Sequence, residues 1–157
     1  MSAVPPDTST GWRADQFEEL PPEQTERWLR LGANGNPDLF PAVLGFVYTE
    51  IRRDYARLEL PFRPQLRQAA GVVHGGVIAA LIDAVVVPAI GAVYETQPRF
   101  VTLDLSTQYL GAVVDEDMVA EGWVLRRGRS IVFCEAEVVA GGDRRLVARG
   151  QLTYKVG

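Results

Sequence analysis

The sequence predicts an α+β domain in which a curved antiparallel sheet wraps around one long central helix. Three observations carry this. An almost wholly apolar run, Val77 to Val93, is interrupted by one charge, Asp83, and a helix that is hydrophobic all round belongs inside a fold. Stretches with strand patterning flank it, two before and four after. The connections between most of them are short hairpins, which imply antiparallel pairing. A helix with no polar face then needs a sheet curved around it.

The chain has 157 residues, enough for one domain with a proper core. Residues 1–43 read as a tail and a short helical segment, and residues 44–157 as the domain proper. Met1 to Gly11, rich in Pro, Ser and Thr, predicts a mobile tail. Asp15 to Leu31 predicts one or two short helices, with Pro21 and Pro22 suited to a helix start. Gly32 to Pro37 is a strong breaker. Leu44 to Ile51 and Tyr55 to Leu60 follow as strands around a turn at Arg52-Arg53-Asp54. In the second, Ala56, Leu58 and Leu60 alternate with Tyr55, Arg57 and Glu59.

Pro61 to Gly71 is a loop. The helix begins near Gly75 and fades between Pro88 and Val93, with Pro88 predicting a kink or an early end. Phe100 to Leu110 alternates Val101, Leu103, Leu105 and Tyr109 against Thr102, Asp104, Ser106 and Gln108. Met118 to Arg126 is next, with a turn at Arg127-Gly128-Arg129. Ile131 to Ala140 sets Val132, Cys134, Ala136 and Val138 against Glu135 and Glu137. Gly141-Gly142-Asp143 makes a hairpin turn, and Leu146 to Tyr154 closes the sheet.

Composition excludes several classes. A net charge of -4 and a pI near 5.0 argue against nonspecific nucleic-acid binding. Clustered arginines could still hold a small anion. Cys134 is the only cysteine, so no intrachain disulfide forms, which suits a reducing cytoplasm. One histidine makes a protein zinc site an unlikely expectation, and no metal is assigned. Met1 to Thr10 lacks the pattern of a signal peptide. The apolar run is shorter than the roughly 20 residues that span a bilayer. The expectation is a cytoplasmic protein with no membrane partner.

The chemistry centres on Gly71-Val72-Val73-His74-Gly75-Gly76, followed by Asp83 on the helix. His74 is the only histidine. A lone histidine beside glycines is commonly a turn residue, and a buried aspartate can be structural. Yet a carboxylate inside an apolar helix is costly unless paired or hydrogen-bonded, and the run offers no cation. Away from water, a carboxylate is a better base. The amides of Gly75 and Gly76, at the helix start, have no intrahelical partner and face a favourable dipole, so either could stabilise an oxyanion.

Gln68, five residues, His74-Gly75-Gly76 and an acid nine positions after the histidine resemble the motif of the PaaI-type (phenylacetic acid degradation) acyl-CoA thioesterases of the hotdog fold. Thr102, in Val101-Thr102-Leu103-Asp104-Leu105, stands where that group often has Ser or Thr. The resemblance covers about Leu44 to Tyr154. It departs at Gln68, where Asn is common, and at Val86-Val87-Pro88, where small residues often follow the acid.

The resemblance implies hydrolysis of an acyl-CoA to free acid and CoA, with no cofactor beyond the CoA of the substrate. Asp83 would be general base or nucleophile. His74 would orient the loop or bind the thioester oxygen, Gln68 would hydrogen-bond the carbonyl or water, and Thr102 would position water. Gly75 and Asp83 lie about 12 Å apart along a helix. One carbonyl cannot touch both, so the expected site joins two subunits of a homodimer. The resemblance implies the same, often as a dimer of dimers, a homotetramer. Arg126, Arg127 and Arg129 are candidates for the CoA phosphates, or else a solvated turn. Arg63 and Arg67 are weaker candidates. Trp123, Phe133 and the residues around Val87 could shape the acyl pocket. The alternatives are a hotdog hydratase or dehydratase, and a non-catalytic acyl-CoA binding or sensing protein. The first usually carries a different motif, and the second gains nothing from a desolvated acid.

Overall fold

The computed structural model describes residues 11–157, so the tail expected over Met1 to Gly11 lies outside them except for Gly11. Six strands form one antiparallel sheet: β1 Val47–Arg52, β2 Tyr55–Leu60, β3 Phe100–Tyr109, β4 Met118–Arg127, β5 Ile131–Ala140 and β6 Arg145–Val156. Their spatial order is β1-β2-β4-β5-β6-β3. The helices are α1 Pro22–Leu29, α2 Phe40–Leu44 and α3 Gly75–Gly91. The sheet curves around α3, the hotdog arrangement that the motif implied.

The core is the contact between α3 and the inner face of the sheet. Leu81, Ile82, Val85, Val86 and Ala89 are fully buried against Leu58, Ala120, Val132, Cys134 and Val138. The helix lies close to the strands at two glycines. A Cβ on Gly122 would sit 2.7 Å from Val85 Cγ1, and one on Gly150 would sit 2.3 Å from Ile82 Cγ2.

Pro88 does not end α3, which runs on to Gly91. A proline inside a helix leaves the carbonyl four residues earlier without its amide. Here that carbonyl belongs to Ala84, and the Tyr48 hydroxyl donates to it at 3.2 Å. β1 thus supplies the bond that Pro88 cannot.

A bulge in β3 corrects the alternation expected from sequence, and β4 carries another. In β3, Thr102 pairs with Tyr154 but Asp104 pairs with Thr153, so Leu103 is an extra residue. Thr102 and Leu105 therefore share the inner face, not opposite faces. In β4, Val124 pairs with Cys134 and Arg126 with Phe133, leaving Leu125 extra. Arg127 then falls opposite fully buried Val132 and faces α3. The first strand also starts later than Leu44, because residues 40–44 form α2, stopped by Gly45 in the left-handed region at φ 81.

Part of the outer face of the sheet, around Tyr55 and Trp123, is covered by the chain's own N-terminal segment. Ala14 and Phe17 pack with Tyr55 and Trp123, and Arg13 stacks over Trp123 at 4.1 Å. The Arg13 guanidinium bonds Glu137 at 2.6 Å, and its backbone N–H donates to Glu121 at 2.8 Å. Glu137, set by its alternation on the face opposite the apolar one, is buried for this reason, and so is Glu121. Trp123 therefore does not line an acyl pocket. Phe133 also faces outward, 43% exposed.

Candidate active site

The loop before α3 is folded by its own backbone. Arg67 and Val73 form an isolated bridge, Gln68 N–H donates to Val72, and His74 N–H donates to Leu66. His74 is thereby delivered as the N-cap of α3. Its Nδ1 accepts from Gly76 N–H at 2.8 Å. A nitrogen that accepts carries no proton, so the neutral ring holds its hydrogen on Nε2.

The peptide between Gly75 and Gly76 is held at both ends. His74 takes its N–H, and the Tyr109 hydroxyl donates to its carbonyl at 2.8 Å. Tyr109 also packs on Gly75, where a Cβ would meet the ring at 3.3 Å. Gly76 N–H is therefore engaged. Gly75 N–H, one peptide earlier, has no acceptor among the described residues. Gly75 lines a cleft of about 380 Å³ together with Val72, Val73, Ile78, Tyr109 and residues 110–113.

Asp83 sits about two turns further along α3, half-buried. Its Oδ1 accepts from Tyr154 at 2.5 Å and from Thr102 at 3.1 Å. Both donors are neutral hydroxyls, and no ion pair reaches Asp83 among the described residues. Burial, together with Asp83 itself, pushes the Tyr154 phenol far above its ordinary range, so it stays a donor. Tyr48, whose hydroxyl donates to the carbonyl of the next residue, Ala84, is raised for the same two reasons. Cys134 is buried and its thiol is pushed up to about 12, so it is no nucleophile here.

The expected residues thus fall into separate groups. Gly75, Gly76 and His74 form one end, while Asp83 and Thr102 form the middle. Gln68 stays in the exposed loop, with one long contact of 3.5 Å to Ala70 N–H. The arginine cluster divides. Arg126 and Arg129 are exposed. Arg127 is turned inward, bonding Asp54 at 2.5 Å, the Tyr94 hydroxyl at 3.2 Å and the Ile90 carbonyl at 3.1 Å. It caps the C-terminus of α3, where a cation suits the helix dipole. Arg67 is paired with Asp115, and Arg63 bonds the Val43 carbonyl. Tyr109 and Tyr154 escaped the motif reading. The only sequence signal for Tyr154 is its inward position in the last strand.

A sequence model described as the thioesterase superfamily matches residues 70–147, the span from the His74 loop into β6. The "Putative esterase Rv1847" of Mycobacterium tuberculosis is 32% identical over 116 residues, 72% of this chain and 82% of its own. This chain belongs to the thioesterase superfamily. Human "Acyl-coenzyme A thioesterase 13" is 27% identical over 100 residues, covering 63% of this thioesterase and 71% of its own length. The Escherichia coli PaaI protein from the phenylacetic acid degradation operon has the same fold, with a TM-score of 0.73 at 15% identity, over 86% of this chain and 91% of its own. The enzyme is a thioester hydrolase. None of its described helices is long and apolar enough to cross a membrane.

Proposed function

We propose that this thioesterase hydrolyses an acyl-CoA to the free acid and CoA at a site shared by two subunits. The observation that carries the reading is Asp83: a carboxylate on the buried helix, held among the described residues by neutral hydroxyls and not by a cation. The name of the human relative supports the CoA thioester as substrate class.

Gly75 N–H of one subunit holds the thioester oxygen, where the helix dipole favours developing negative charge. Asp83 of the other subunit acts at the carbonyl carbon. As a base it takes a proton from water, the hydroxide bonds to carbon, the C–S bond breaks, and the CoA thiolate recovers the proton. As a nucleophile its oxygen bonds to that carbon, the thiolate leaves, and water cleaves the anhydride to restore the carboxylate. His74 Nε2–H and the Gln68 amide serve as further donors, and Thr102 guides water to Asp83. The apolar cleft beside Gly75 suits an acyl chain. Arg126 and Arg129 remain as cations for the CoA phosphates.

The two-subunit site needs an interface, and β3 offers one. It is an edge strand of ten residues with its outer backbone unpaired. Val101, Leu103 and Tyr109 are each more than half exposed on it. A long apolar edge is a template for pairing with another chain. Pairing here brings Thr102 and Asp83 to the seam.

The test is thiol release from a panel of acyl-CoAs, wild type beside Asp83→Asn. A loss of roughly a hundredfold or more fits removal of the base or nucleophile. Full activity in the variant would make Asp83 structural. Binding of CoA without turnover by wild type would move the non-catalytic reading ahead.

A further inference from the structure

Tyr154 and Thr102 stand directly opposite each other in the β6–β3 ladder, and both reach the same atom, Asp83 Oδ1. Oδ2 has no partner among the described residues. The Tyr154 ring is 2% exposed, and its hydroxyl also lies 2.9 Å from the Asp83 carbonyl. It has one proton, and the carboxylate is the closer and stronger acceptor. The Leu103 bulge is what makes this pairing possible, because it keeps Thr102 on the inner face while the rest of β3 stays in phase.

We infer that Tyr154 is a positioning residue: with Thr102 it anchors Oδ1 and fixes the carboxylate so that Oδ2 is the oxygen that reacts. This rests on the proposed role of Asp83. An oxygen that already accepts two hydrogen bonds has its lone pairs occupied. The unpartnered oxygen is left to take a water proton or to attack carbon. Locking one oxygen also restricts rotation about the Cβ–Cγ bond, and a misplacement of about 1 Å in such a site can cost about a hundredfold in rate.

The titratable groups around Asp83 are few. Tyr154 faces it from β6 and Tyr48 from β1, with Cys134 of β5 beside Tyr154. No Arg or Lys among the described residues pairs with it. A hydrogen bond to an ionised carboxylate favours that form, so losing one makes protonation easier.

The experiment is Tyr154→Phe, which keeps the buried ring and removes only the hydroxyl. Expected is a roughly tenfold or greater fall in kcat with little change in KM, and an acid limb of kcat/KM moved up by about one pH unit. A purely structural tyrosine would lower the amount of folded enzyme without moving the limb. Incorporating 3-fluorotyrosine at position 154 keeps both ring and hydroxyl but strengthens the donor. It should move the acid limb to lower pH, and it decides the question if the phenylalanine variant does not fold. Unchanged limbs in the folded variants, with Asp83→Asn inactive, overturn the role of Tyr154 alone. An active Asp83→Asn overturns the reading beneath it instead.

Discussion

Replacing His74 separates its two jobs. The side chain caps α3 by accepting from Gly76 N–H at 2.8 Å, and in the proposed reaction its exposed Nε2–H serves the substrate. His74→Ala deletes both. Losing an N-cap costs about 1 kcal/mol, less where water can replace it. In a domain of this size that lowers Tm by roughly 2–4 °C. His74→Asn restores the cap, because an asparagine oxygen can accept from the same amide, but supplies a shorter donor in place of Nε2–H. Expected is a melting point within about 1 °C of wild type with turnover still depressed at least tenfold. Thermal melts at one protein concentration and thiol-release kinetics on the same samples read both quantities. An Asn variant with full turnover would reduce His74 to a cap. An Ala variant with unchanged Tm would remove the cap itself.

The arginine cluster should split in the same manner. Arg127→Ala severs the Asp54 bridge and the cap on Ile90, and is expected to cost about 2 kcal/mol in urea unfolding. Arg126→Ala should stay within about 0.5 kcal/mol of wild type and instead raise KM for the CoA substrate. Equal effects from the two would reject the division. Leu103→Lys places a charge on the exposed edge of β3. Sedimentation should show monomers, and these should be inactive if two subunits share each site; active monomers would refute the shared site. Cys134, buried with its thiol pushed up to about 12, should resist thiol reagents at pH 8 in the native enzyme and react only after denaturation. Rapid native labelling would contradict its packing.

The succession of strands, the apolar helix and the His74 to Asp83 spacing were legible because each is local in sequence, but the crossing of β3 to the far edge beside β6, away from β4, was not. What was illegible depends on distant contacts. Arg13 and Glu137 are 124 residues apart, and nothing in either neighbourhood announces the pair. Glu137 looks like a solvent-facing residue in an alternating strand until the N-terminal segment is laid over it. The bulges at Leu103 and Leu125 each change which side a residue faces, and a period of two cannot register one extra residue. That is why Arg127 read as one of three turn cations and is in fact a helix cap. Gly75 and Gly76 looked equivalent as amide donors. Only the His74 ring, folded back on Gly76, distinguishes them.

The extra residue in β3 has an evolutionary corollary. Ordinarily an exposed edge strand tolerates change freely, since little packs on it. At Leu103, on the edge proposed to pair with a second subunit, the side chain itself should be replaceable by other apolar residues. Deletion is another matter. Losing one residue would rotate either Thr102 or the Leu105–Tyr109 half of the strand to the opposite side, detaching the hydroxyl from Asp83 or the phenol from Gly75. Relatives that keep this site should therefore vary among apolar residues at position 103 but not in the number of residues between Thr102 and Tyr109.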